Sequence, residues 1–191
     1  MDKLILASAS PRRQELMEML GFNFTIVPSK VDEEKYMELK PVEMVKELAR
    51  AKAEKVAGFV ENTVVIGSDT VVVLDDEILG KPSDQSEAVA MLKKLQNRKH
   101  SVFTGIAICG TVSGRVKVDY DKTDVFMRPI SDEDIIGYVN TGEPMDKAGA
   151  YGIQGVGGIF VEKIEGSYFT VMGLPIHKLV LILKSFGVSV F

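Results

Sequence analysis

The chain is poor in the residues that build metal cages and disulfide frameworks. Its single cysteine, Cys109, sits in the apolar run "GIAIC", which excludes a disulfide framework and a cysteine metal cluster and reads as a buried, inert thiol. Its two histidines, His100 and His177, lie far apart and lack metal-ligand spacing, so both read as structural. Long apolar runs are missing as well, since "LVLIL" at 179–183 falls far short of a bilayer span. "ASA" at 7–9 resembles a signal-peptidase site, but the "LILA" before it is too short for a signal peptide, and a cytoplasmic location is expected. No phosphate-binding loop is present: "GVGG" lacks a following Lys-Ser or Lys-Thr, and no GxGxxG follows the first strand. Positive charge is not in excess either. With 27 acidic against 23 basic side chains the formal charge is −4, a poor balance for a general nucleic-acid binder.

What remains is ordinary globular material, 46% hydrophobic and 26% charged, in 191 residues that suffice for one core or for two small lobes sharing a sheet. "KLILA" reads as a strand. Ser10 and Pro11 then open a helix, with the Ser10 hydroxyl as N-cap and Pro11 where its missing N–H costs nothing, and Gly21 stops it. "FNFTIV" is a second strand, Pro41 opens a long helix ended by Gly58, and "TVVIGSDTVVVL" suits a strand buried on both faces. After a "DDE" turn and a short "ILGKP" segment, a helix is expected over residues 84–97. "SVFTGIAICG" and "VKVDYDKTDVFM" read as strands joined by "VSG", and Ser131 with Asp134 caps a helix through Tyr138. "EPMDKAGAYGIQGVGG" reads as a loop, "IFVEKIEGSYFTVMG" as a hairpin turning at "EGS", and a last helix starts at Pro175. The expected class is α/β, a mixed central sheet flanked by helices, in two lobes around a cleft.

Several residues break local rules. Arg12 and Arg13 fall in the first turn of a helix, the positive end of its dipole, where acidic residues are favoured. Either both are solvated, or they share an anion with the helix-start N–H groups and the serine-rich turn. Lys52 lies on the apolar stripe of the long helix marked by Val45, Leu48, Ala49 and Val56, so it snorkels out or meets an acid or a phosphate. Lys81 in "LGKPSD" is a third candidate cation. Asp69 stands between two buried strand segments, where an uncompensated charge is costly; it binds a metal, meets a cation or acts as a base, unless it only makes a turn. Glu33, in an acidic run, is a second carboxylate available to a metal. In the glycine-rich segment, Asp146, Lys147 and Gln154 stand out, the last for an amide able to pair with a base edge. These cations, the buried carboxylate and the glycine-rich loop suggest a polyphosphate substrate with a metal.

The motifs "LASASPRRQEL", "VDE", "LARAKA", "GSDTVV", "GKP", "HSVFTG" and "DKAGAYGIQG", in this order from about residue 4 to beyond 175, closely resemble the Maf-type nucleoside triphosphate pyrophosphatases, the septum-formation inhibitor Maf family. The resemblance implies one Maf-like domain over residues 1–191, related in fold to the inosine-triphosphate pyrophosphatases (Maf/Ham1), with a divalent cation (Mg²⁺ or Mn²⁺) as cofactor. It implies hydrolysis of a nucleoside triphosphate to monophosphate and pyrophosphate, as house-cleaning of pyrimidine nucleotides. Asp69 would be the catalytic base and, with Glu33, a metal-side carboxylate. Ser8, Arg13, Lys52 and Lys81 would line the phosphates. Arg12, Thr70 and Gln154 match positions that mark the dTTP/UTP branch. A homodimer with no nucleic-acid or membrane partner is expected, and a non-catalytic regulator of cell division is the alternative.

Overall fold

The computed structural model describes residues 3–190. β1 (Lys3–Leu6) leads into α1 (Pro11–Met19), where Pro11 presets the backbone for the first turn, and Gly21 leaves the helix with φ of 72°. β2 (Phe24–Ile26) then lies parallel to β1, as a helical crossover allows. A second crossover, α2 (Pro41–Ala57), delivers β3 (Thr63–Leu74) parallel to β1 on its other side, with Leu4 opposite Val64. Asp75 and Asp76, both at positive φ, turn the chain into β4 (Glu77–Leu79), antiparallel to β3.

α3 (Gln85–Leu95) starts where the Asp84 carboxylate accepts the Glu87 N–H at 2.8 Å. There follow β5 (Lys99–Gly110), β6 (Val116–Met127), α4 (Asp132–Asn140), β7 (Val161–Glu165), α5 (Tyr168–Met172) and α6 (Ile176–Lys184). The Ser131 hydroxyl accepts the Asp134 N–H at 3.1 Å, the cap expected for α4. The strand order is β2-β1-β3-β5-β6-β7, with β4 on β3; parallel and antiparallel pairs coexist, so the mixed α/β class holds.

The chain divides into two compact units. One takes the chain through Asp69, with Thr104–Asp121 and the stretch from Gly173 onward; the other is Thr70–Phe103 with Lys122–Met172. In the first, Ala49, Ala53 and Val56 of α2 pack with Ile5, Val65, Ala107 and Cys109. Burial pushes the Cys109 thiol up to about 11, consistent with an inert core residue. In the second, Leu92 and Leu95 of α3 join Ile135 and Val139 of α4, Val125 and Phe160. No helix among the described residues is long and apolar enough to cross a membrane.

Two expectations fail. Ser10 makes no side-chain cap; its own backbone N–H donates to Ser8 Oγ at 3.2 Å instead. "IFVEKIEGSYFTVMG" is not a hairpin. β7 pairs with β6, and Tyr168–Met172 is helical. The reason is Thr123: its hydroxyl accepts the Ser167 N–H at 2.9 Å and donates to the Ser167 carbonyl at 3.0 Å. Both backbone groups of Ser167 are thereby taken from any returning strand, and tertiary context overrides the β propensity of Tyr-Phe-Thr-Val.

Candidate functional site

Two glycines bring the site together. A Cβ on Gly67 of β3 would stand 2.3 Å from the Ala49 carbonyl oxygen, and one on Gly105 of β5 would stand 2.0 Å from that of Val45. Neither position has room for a side chain, so α2 lies directly on the two strands. That contact brings Lys52, on the strand-facing stripe of α2, to Asp69, two residues beyond Gly67.

Asp69 is 7% exposed, and Lys52 Nζ donates to its Oδ1 at 2.6 Å. The same ammonium lies 2.7 Å from Glu33 Oε1, supplied by the 3₁₀ turn Glu33–Tyr36. Lys52 therefore does not snorkel away; its side chain is 12% exposed and bridges two carboxylates. Of the readings open to Asp69, the meeting with a cation is the one observed, and the turn-forming reading fails because Asp69 lies inside β3.

Arg13 is fixed at both ends of its guanidinium. Nε donates to the Gly173 carbonyl at 2.8 Å and Nη1 to Ser8 Oγ at 3.1 Å. Burial pushes its pKa below the usual arginine value; the Asp69 and Glu33 carboxylates oppose the shift, while neighbouring Arg12 adds to it. Ser8 Oγ, accepting from Ser10 N–H and from Arg13, has its own proton left to donate. Arg12 is half-buried. Oxygen donors from Asp69 and Glu33 converge on the Lys52 ammonium, and such oxygen donors suit a hard divalent cation. Among the described residues no group of three or more His, Cys, Asp or Glu is placed to hold a metal ion, so water and phosphate oxygens would complete its shell.

The first unit thus assembles Ser8, Arg12, Arg13, Glu33, Lys52 and Asp69. Thr70, Lys81 and Gln154 belong to the second unit. Lys81 is exposed and follows Gly80, whose carbonyl accepts the Gly149 N–H at 3.0 Å. Gln154 is exposed in the glycine-rich segment, which folds as 3₁₀ turns at Glu143–Asp146, Ala148–Ala150 and Val156–Phe160. Lys147 and Asp146 pair with each other at 2.7 Å.

Four residues escaped the sequence reading. Gly173 anchors Arg13, and buried Ser68 holds Gly173 in turn, its Oγ 2.9 Å from the Gly173 carbonyl and 2.8 Å from that of Gly105. Ser68 carried a signal, a second polar residue beside Asp69 in an apolar strand; Gly173 carried none, because its role is a backbone carbonyl 160 positions from Arg13. Tyr138 and Glu143, which brace the glycine-rich segment, looked like ordinary helix and loop residues.

A family model described as "Maf-like protein" matches residues 3–186. A dTTP/UTP pyrophosphatase from Pelotomaculum thermopropionicum is 47% identical, with 100% of each chain covered. Another from Dictyoglomus turgidum is 50% identical, covering 98% of this chain and 97% of that one. A third, from Caldanaerobacter subterraneus subsp. tengcongensis, is 53% identical over 98% of this chain and 91% of its own. A solved HAM1 protein from Coxiella burnetii aligns over 97% of this chain and all of that one, at 13% identity and a TM-score of 0.47; at that level it adds nothing to the fold read from the strands.

Proposed function

The chain belongs to the Maf-like protein family, and we propose that it hydrolyses nucleoside triphosphates, dTTP and UTP among them, to the monophosphate and pyrophosphate. The observation that carries the mechanism is the buried Lys52 ammonium shared between Asp69 and Glu33, beside a clamped Arg13. Fixed cations and hydrogen-bond donors aimed at a polyphosphate stabilise charge without reorganising during the reaction. Arg13, held through Nε, keeps its fork oriented; Ser8 donates its remaining proton to a phosphate oxygen; Lys52 meets the charge that develops on departing pyrophosphate. Asp69 takes the proton of the attacking water, and its bond to Lys52 fixes the carboxylate that does so. A divalent cation held by Asp69 and Glu33 would supply further charge neutralisation at the phosphates. Lys81 is assigned to the phosphates, and Arg12, Thr70 and Gln154 to substrate choice, on the motif resemblance. The same resemblance supports a homodimer, and the substrate class supports a cytoplasmic location.

Purified protein incubated with a nucleotide panel and Mg²⁺ should release pyrophosphate from dTTP and UTP. Asp69→Asn should lose roughly 10²–10⁴-fold in kcat, the worth of a positioned base, while remaining folded. Pyrophosphate from no nucleotide would overturn the reading, and an Asp69→Asn variant within a few-fold of wild type would remove Asp69 as base.

A further inference from the structure

We propose that Tyr138 and Glu143 are positioning residues that hold the Gly152–Gly157 loop, and through it set the nucleotide-base preference assigned to Gln154. This rests on the reading that Gln154 meets the base. Gln154 is exposed at the middle of a loop stapled on both sides. On one side, the Gly152 N–H donates to Tyr138 Oη at 3.3 Å. On the other, the Val156 N–H donates to Glu143 Oε2 at 3.1 Å and the Gly157 N–H to Oε1 at 3.1 Å. Tyr138 Oη donates to Glu143 Oε1 at 2.9 Å, so one phenol and one carboxylate join the two sides. The Tyr138 ring is itself anchored edge-on to Phe160, with centroids 5.1 Å apart.

Two glycines of "GIQGVGG", Gly155 and Gly157, are explained by this brace. A Cβ on Gly157 would stand 2.4 Å from Tyr138 Oη. Gly155, at φ of 92°, would bring a Cβ to 3.1 Å from Glu143 Oε1 in a conformation L side chains rarely adopt. Glycine here lets the loop approach its own protein. The Val156 and Gly157 N–H groups, committed to a carboxylate, do not form a cradle for phosphate, which leaves the loop to present side chains. The charges suit the task. Burial pushes the Glu143 carboxyl up, but N–H donors from Gly157 and Val156 and the Tyr138 hydroxyl outweigh it and hold it below the usual range. Burial and Glu143 together raise the Tyr138 phenol, which stays a donor.

The test compares Glu143→Gln, Tyr138→Phe and Gln154→Ala for kcat and KM on dTTP, UTP, ATP and GTP. Each variant should shrink the preference for dTTP and UTP by about ten-fold, the upper end of what one neutral hydrogen bond is worth. In Glu143→Gln and Tyr138→Phe the loss should fall on KM for the preferred substrates, with kcat within a few-fold of wild type. In the two brace variants, hydrogen exchange of the Val156 and Gly157 amides should quicken while β3 keeps its protection. Altered ranking in Gln154→Ala with wild-type ranking in both brace variants overturns the positioning role. Unaltered ranking in Gln154→Ala overturns the assignment of Gln154 itself, and the proposal with it. Tyr138→Phe removes one hydroxyl only and keeps the comparison available should Glu143→Gln not fold.

Discussion

His100 shows how one residue links burial to pH. It is 2% exposed, with Nε2 2.7 Å from Tyr151 Oη and no hydrogen-bond partner for Nδ1 among the described residues. Desolvation lowers it from 6.5 to about 4, against the pull of Asp124. The unfolded chain therefore binds this proton below pH 6.5, while the folded chain holds off until about pH 4. Stability from this group is complete above pH 6.5, declines as pH falls to 4 and changes no further below it. The total is about 3 kcal/mol at full protonation. In His100→Gln, which cannot titrate but can still bond Tyr151, urea midpoints measured from pH 7 to 4.5 should fall less steeply than in wild type. Parallel curves would show that His100 is not responsible. The sequence reads His100 as structural, and the structure packs it against Tyr151, a partner 51 positions away that no local pattern announces.

At the scale of elements, the contact of α2 with β3 and β5 decides whether Lys52 reaches Asp69. Gly67→Ala and Gly105→Ala should each cost roughly 1–3 kcal/mol or more, because the new methyl meets backbone rather than a movable side chain. Both should lower kcat as Lys52 moves off Asp69. Exposed Gly137 in α4 has open space around it, so Gly137→Ala should stabilise by about 0.5–1 kcal/mol through helix propensity. Equal Tm values for all three would mean that the close approach does not govern packing. The elements themselves were largely legible. β3 follows its apolar run from Thr63 to Leu74, and α2 runs from Pro41 to the residue before Gly58. α5 was not, because its helical start depends on Thr123, distant in sequence and decisive only once the chain is folded. In the same way, charge patterning singled out Lys52 and Asp69 as anomalies, but only the glycines of β3 and β5 explain how they meet.

Across the whole molecule the formal charge is −4, so the protein does not attract a triphosphate by its overall field. Recognition has to be local: Arg12 and Arg13 carry positive charge within the first unit, where the Lys52 ammonium is shared between Asp69 and Glu33. The central claim is that water, deprotonated by Asp69, attacks the α-phosphorus while these cations receive pyrophosphate as the leaving group. Hydrolysis of dTTP in ¹⁸O-water with Mg²⁺, followed by mass spectrometry of both products, tests this most directly. The expected result is label in the nucleoside monophosphate and none in pyrophosphate. Label in pyrophosphate would place the attack at the β-phosphorus, and labelled orthophosphate with a nucleoside diphosphate would contradict the pyrophosphatase chemistry altogether.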